Sequence, residues 1–368
     1  MPRTKKVPEQ EEKEVESEKD KPARKQAFEL SLSDIKGIGP AMMTKLKTIG
    51  ITTVEALAYA TANELEQIGI LKEAPKIVQD AKEHLARHSY ITALDLMEER
   101  KNIRKLTTGC RSLDELLKGG YETASISEFA GEYGTSKTQL CFTASVCVQG
   151  PEDKGGLDGG VLYVDSEETF RAERIAEIAL NRGLDPKHIL SRIIYCPVFN
   201  SDHQILVLQK ADEQIKKNGI RLIVVDSVMA HFRSEYCGRE MLADRQGKLN
   251  QHLHQILRLA RAFNAVALIT NQAIANPSGI PYAPTWYPTG GHIIGHASGL
   301  RLQLRKAGKN NRVATVIDSS WIGWGEAPFM ITKAGVEDIP SDDKLAKRYA
   351  TQSTETQTEE KPETTISA

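Results

Sequence analysis

The 368-residue chain has no apolar run approaching the length that spans a bilayer, and its amino terminus lacks a signal-peptide profile. A soluble protein of the cytosol or nucleus is therefore expected. None of the five cysteines (Cys110, Cys141, Cys147, Cys196 and Cys237) forms a CxxC pair. Several lie inside apolar runs, where a free thiol behaves as a small hydrophobe, which suits a reduced, intracellular setting. An excess of one charge is also missing. The net charge of −1 argues against a uniformly basic nucleic-acid coat, although a local basic groove remains compatible with it. What the chain does have is ordinary globular composition, 40% hydrophobic and 26% charged, at a length that accommodates two domains.

Residues 1–27 mix lysine and glutamate with almost no large apolar side chains, and 341–368 are rich in Thr, Glu, Gln and Ser. Both read as disordered tails, since neither has enough apolar surface to offset the entropy of ordering. Residues 28–88 read as a small helical domain centred on IKGIGPAMMTKLKTIGI, with a looser second copy at IGILKEAPKIVQDAKEHL. Gly37 and Gly39 punctuate a hairpin and Pro40 opens the next helix. A glycine turn that exposes successive amides at a helix start forms a phosphate-sized nest, which positions a DNA duplex without reading its bases. A small helical packing domain that binds protein is the alternative. In 89–106, SYITALDLMEE reads as an isolated extended patch before a helical stretch.

From 107 to 340, short β-branched runs alternate with helical stretches: ASISEFA, GVLYVDSE, RIIYCPV, RLIVVDS and AVALITNQ. This predicts an α/β fold, a mainly parallel sheet with helices on both faces. GLRLQLRKAG, RVATVIDS and APFMITKAG read as antiparallel additions at one edge. The chemistry is then expected at the carboxyl ends of the strands.

There the stretch GEYGTSKTQL nearly matches the phosphate-loop pattern G-x-x-x-x-G-K-[ST]. Strand, loop and helix follow one another as the pattern requires. Gly131, Glu132, Tyr133, Gly134, Thr135 and Ser136 would wrap β- and γ-phosphates. Lys137 would neutralise them and Thr138 would ligate Mg²⁺, with Gln139 beside it in the first helical turn. Ser136 stands where glycine is usual. It is expected to open the helix with right-handed angles; left-handed angles would cost about 1–2 kcal/mol there. Asp226 ends an apolar strand and would hold a Mg²⁺-bound water. Glu167, just past another strand, is placed to orient or deprotonate an attacking water. Gln272 ends a third strand, where its amide would sense the γ-phosphate.

The ordered set GEYGTSKTQL, YVDSEETFRAERI, LIVVDSVMAHFRSEYCGREMLADRQGKLNQHLHQILRLA, ALITNQ and GGHIIGHA resembles the archaeal RadA group of RecA-like DNA recombinases, from Phe28 to Pro340. The resemblance implies a RecA-like ATPase core behind a helix-hairpin-helix domain. It implies ATP and Mg²⁺ as cofactors, with homologous pairing and strand exchange by a helical filament on single-stranded DNA. Double-stranded DNA, further copies of the chain and recombination mediators are the implied partners, and a cytoplasmic, nucleoid-associated location is implied. Lys137, Thr138, Glu167 and Asp226 match the family's phosphate, Mg²⁺, catalytic and Walker B residues. Arg174 matches the arginine that packs on adenine, Gln272 the link from γ-phosphate to the second DNA loop, and Asp318 an aspartate that caps ATP from a neighbouring protomer. Arg233, Arg239 and Arg245 match basic positions of the first DNA loop. The second loop, AIANPSGIPYAPTWYPTGGH, ends in Gly290 and Gly291, and its Tyr282, Trp286 and Tyr287 either stack on bases or anchor the loop. Tyr90 and Ala93 match the F-x-x-A polymerisation motif with tyrosine for phenylalanine, and His296 falls on the implied subunit interface. Ser136, Glu168, Ala172, Ser320 and the segment WIGWGEAPF depart from the family pattern. An ATP-switched DNA-binding scaffold or mediator with little turnover is the alternative that these departures keep open.

Overall fold

The computed structural model describes residues Ser31–Tyr349, apart from 50, 52–53, 59, 61–64, 67, 70–72, 89, 91, 239 and 276–285. Residues 1–27, read as a tail, lie outside the described residues. The chain divides into two compact units, Met1–Tyr90 and Ile91–Ala368.

The first unit is helical, with helices at Pro40–Thr48, Val54–Ala58 and Ala74–His88. Gly39 is the amino-terminal cap of the first and Pro40 its first residue, where the missing amide hydrogen costs nothing. Gly37 takes a φ of 93°, a left-handed turn that glycine adopts without strain. Leu46, Val54, Leu57, Leu65, Ala74 and Ala81 fill the small core between them.

The second unit is built on one ten-stranded sheet. A two-stranded ribbon, β1 (Lys105–Leu106) and β2 (Tyr121–Glu122), precedes it. The sheet contains β3 (Ser125–Gly131), β4 (Gly160–Asp165), β5 (Ile193–Pro197), β6 (Ile220–Asp226), β7 (Val266–Ala275), β8 (Trp286–Pro288), β9 (Leu300–Lys306), β10 (Asn311–Ser319), β11 (Gly325–Thr332) and β12 (Gly335–Glu337). Their order is β12-β11-β10-β9-β3-β7-β6-β4-β5, with β8 paired antiparallel to the end of β7. Strands β9, β3, β7, β6, β4 and β5 run parallel, whereas β10, β11 and β12 add antiparallel at one side. The central strands are apolar throughout because both faces are covered. On β4, Val161 and Tyr163 enter one core while Leu162 and Val164 enter the other. The helix Lys137–Cys147 seals the first face with Leu140, Phe142 and Val146. The helix Leu242–Ala262 seals the second with Leu249, Leu253 and Ile256.

Two expectations are corrected. SYITALDLMEE is not extended throughout: a helix runs over Ala93–Glu99, started by a capping box in which Thr92 accepts from the Asp95 amide and Asp95 from the Thr92 amide. The carboxyl-terminal tail does not begin at residue 341. Residues through Tyr349 lie on the core, where the Tyr349 hydroxyl donates to Glu326 at 2.7 Å and accepts from Arg305 at 2.6 Å. One phenol satisfying a carboxylate and a guanidinium together is enough to hold a short polar segment that composition alone assigns to solvent.

Candidate active site

β3 ends at Gly131, and the helix that follows starts at Lys137. The backbone has to reverse in that short interval, and its geometry is tight. A side chain at Gly131 would meet the Thr135 hydroxyl at 2.6 Å and the Leu304 carbonyl at 2.7 Å, so only glycine fits. Gly134 and Ser136 both adopt left-handed angles, with φ of 76° and 79°. The right-handed conformation expected for Ser136 is thus corrected. Ser136 is the residue immediately outside the helix, and turning the loop's amides inward there requires positive φ even at the cost of about 1–2 kcal/mol for a side-chain-bearing residue.

The Lys137 ammonium folds back over the loop, donating to the carbonyls of Gly131 at 2.7 Å and Glu132 at 3.0 Å. Burial lowers its pKa, against the opposing pull of Glu167 and Asp226. Asp226 is buried at the tip of β6. Hydroxyls of Tyr163, at 2.8 Å, and Thr270, at 2.5 Å, donate to its carboxylate, and the Thr138 side chain lies close by. Burial raises its pKa and these three groups work against the rise. Thr138 and Asp226, far apart in sequence, therefore meet as adjacent hard oxygen donors. That is the ligand chemistry a small divalent cation such as Mg²⁺ prefers.

Glu167 lies one turn past β4 and is exposed. The Gln272 amide, from β7, donates to its carboxylate at 2.5 Å, and the Gln272 carbonyl oxygen accepts from Arg233 at 3.0 Å. Asp165, which the sequence reading passed over, sets the turn that carries Glu167. It is fully buried and accepts the amides of Glu167 at 3.1 Å and Phe170 at 2.9 Å. An acid ending an apolar strand in YVDSE was the signal for it. Arg174 reaches the same region, donating to the Gln139 side chain at 2.9 Å and to the Lys333 carbonyl at 3.1 Å.

Two residues are not part of this cluster. Asp318 and His296 line a cavity of about 400 Å³ together with Ser125, at the opposite end of β3 from the phosphate loop. In register Asp318 is level with Arg301 and Glu128, roughly 10 Å along the strand from Gly131.

Lys137, Thr138, Glu167, Asp226 and Gln272 thus converge from four strand ends, as in the phosphate-loop ATPases. A Rad51 family profile matches residues 99–339 and a SAM-like helix-hairpin-helix tandem matches residues 29–83. The chain belongs to the Rad51 family. It is 48% identical over 309 residues to the DNA repair and recombination protein RadA of Aeropyrum pernix, covering 83% of this chain and 96% of that one. Against the protein of the same name from Ignicoccus hospitalis it is 46% identical over 318 residues, covering 85% and 96%.

In this Rad51-family chain the residues read as DNA contacts sit beyond the strand ends. Arg233 is exposed in the helix Ala230–Glu235 and Arg245 is half-buried in the first turn of Leu242–Ala262. Arg239 and Tyr282 lie outside the described residues. Trp286 and Tyr287 belong to β8, paired with Ala275 and Ile274 of β7, so they form the stem of the second loop. Gly290 caps the helix Gly291–Ala297 at a φ of 81°, and a side chain there would strike Ile294 at 2.4 Å. Beneath the stem runs a buried network missed by sequence reading. Asn271 donates to Glu128 at 2.6 Å and to the Thr289 carbonyl at 2.8 Å, and Arg301 donates to Glu128 at 2.5 Å. A glutamate inside the apolar strand ASISEFA was its only trace.

Proposed function

We propose that the chain is an ATP-dependent DNA recombinase that assembles on single-stranded DNA, pairs it with a homologous duplex and exchanges strands, hydrolysing ATP in response to DNA. The family supports the activity. The observation that carries the coupling is the hydrogen-bonded run Glu167–Gln272–Arg233, which joins the proposed hydrolytic side of the site to an exposed arginine proposed to face DNA.

Lys137 and the loop amides hold the β- and γ-phosphates at the helix start. Thr138 and Asp226 would hold Mg²⁺, which would supply positive charge to neutralise the phosphates. Glu167 orients a water for in-line attack and accepts its proton, and Gln272 positions Glu167. A phosphate of DNA that engages Arg233 changes what Gln272 bonds, so DNA occupancy reaches the base. Asp318 and His296, which line a cavity apart from the Lys137 cluster, act on the nucleotide of an adjoining copy. The helical-hairpin unit, through the turns at Gly37 and Gly39, holds duplex phosphates without sequence preference. No helix among the described residues is long and apolar enough to cross a membrane. A cytoplasmic location is proposed because the proposed work is on chromosomal DNA.

Assembly is assigned to Tyr90 and the open edge of β5. Tyr90 is 89% exposed, and among the described residues β5 pairs only with β4, while Tyr195 of β5 and Phe199 just after it are exposed. An unpaired edge flanked by apolar side chains accepts an extended segment from a second copy. Tyr90→Ala should therefore yield single protomers with an unchanged melting temperature, as read by light scattering. Assemblies of undiminished size would remove Tyr90 from the interface.

The deciding experiment measures ATP turnover with and without single-stranded DNA, beside a strand-exchange assay. Stimulated turnover together with exchange is expected. Tight DNA and ATP binding with neither activity would favour the scaffold reading, for which the strained Ser136 is the observation.

A further inference from the structure

Ser136 holds a left-handed backbone without the capping hydrogen bond that a serine at a helix start usually makes to its own helix. Its hydroxyl instead accepts from Arg312 Nε at 3.1 Å. Arg312 stands on β10, and one of its terminal nitrogens also donates to the Gly134 carbonyl at 3.2 Å. The other is fixed at its own base by the Asn311 carbonyl at 2.8 Å. Among the described residues it makes no ion pair, and burial depresses its pKa. The nitrogen that bonds the Asn311 carbonyl also donates to the Gly308 and Lys309 carbonyls of the β9–β10 turn, at 3.4 and 3.3 Å, so the guanidinium is anchored on the turn by one arm while Nε and the other arm reach the loop.

We propose that Arg312 is a positioning residue for the phosphate loop, pinning the Ser136 hydroxyl and the Gly134 carbonyl so that Ser136 stays left-handed. The inference rests on reading the Lys137 loop as the triphosphate site. Where glycine stands before the lysine, no such anchor is needed, because glycine adopts positive φ freely. With serine, the penalty is worth about a decade in an equilibrium constant, and the arginine offsets it. Lysine has no fork with which to grip both groups at once.

The test is titration of a fluorescent ATP analogue with Mg²⁺ against the full-length protein and its variants, with a thermal melt of each. Arg312→Ala should weaken binding about tenfold, and Arg312→Lys should resemble it. Ser136→Gly should bind at least as tightly as the parent. In the double variant, Ser136→Gly should rescue Arg312→Ala to within about threefold of Ser136→Gly alone, the non-additivity expected of residues in contact. A brace that merely supported the β9–β10 turn would not be rescued by glycine at 136. Equal losses in both backgrounds would overturn the proposal, as would full affinity in Arg312→Lys. Should Arg312→Ala not fold, Arg312→Gln carries the same comparison. Lys137→Ala, run alongside, separates the two readings: if neither it nor the parent binds the analogue, the nucleotide site itself is wrong. If only the rescue fails, the anchor alone falls.

Discussion

Glu167→Gln is expected to leave ATP bound and almost unhydrolysed. Glutamine has the same shape and keeps a carbonyl oxygen, so it still accepts the hydrogen bond that Gln272 now donates at 2.5 Å. The Asp165 contact that sets the turn uses the Glu167 backbone amide and is untouched. Only the capacity to take a proton from water is lost. General-base contributions are typically worth about 10²–10⁴-fold in rate, so DNA-stimulated turnover should fall by that factor. Nucleotide affinity should stay within about threefold of the parent, since no phosphate contact changes. Assemblies on single-stranded DNA should persist longer, because the bound triphosphate is no longer consumed. Steady-state phosphate release, with nucleotide titration as the control, checks this. Near-normal turnover would mean that another group takes the proton, and Glu167 would lose its assigned role.

Lys137→Ala acts on the other side of the chemistry. The ammonium holds the carbonyls of Gly131 and Glu132 and lies near two carboxylates, Glu167 and Asp226. Removing it takes away the cation facing the phosphates and leaves that acidic pair uncompensated. Charge-assisted hydrogen bonds are worth about 1.5–3 kcal/mol each, which corresponds to a loss of roughly 10–100-fold in nucleotide affinity. ATP-dependent assembly on DNA should disappear at nucleotide concentrations that saturate the parent. Lys137→Arg keeps the charge in a bulkier fork and should fall between the two. Sedimentation or negative-stain images in ATP read the outcome. Filaments unchanged by Lys137→Ala would show that this loop does not govern assembly.

Several parts of this picture were legible in the chain itself because they depend on local chemistry. The β-branched runs ASISEFA, GVLYVDSE, RLIVVDS and AVALITNQ became β3, β4, β6 and β7, since a strand buried on both faces has to be continuously apolar. Acids and an amide at their tips, Glu167, Asp226 and Gln272, followed from the same pattern. One departure is local and one is not. Thr92 and Asp95, three residues apart, start a helix by a capping box in a segment read as extended, whereas Tyr349 ties down a stretch read as tail by distant bonds to Arg305 and Glu326. Asp165 and Glu128 look like ordinary polar residues until the fold buries them.

Taken alone, the sequence determined the element types, the strand ends proposed to carry chemistry and the loop proposed to grip phosphate, because strand periodicity and the phosphate-loop spacing are properties of a few consecutive residues. Only the tertiary structure decided that Ser136 is left-handed and held by Arg312, that Gln272 bridges Glu167 to Arg233, and that Asp318 shares a cavity with His296 and Ser125. Each of these depends on which strands lie side by side. Backbone angles at a loop exit and partners 39 to 176 residues apart are set by that packing, not by the propensity of the residues concerned.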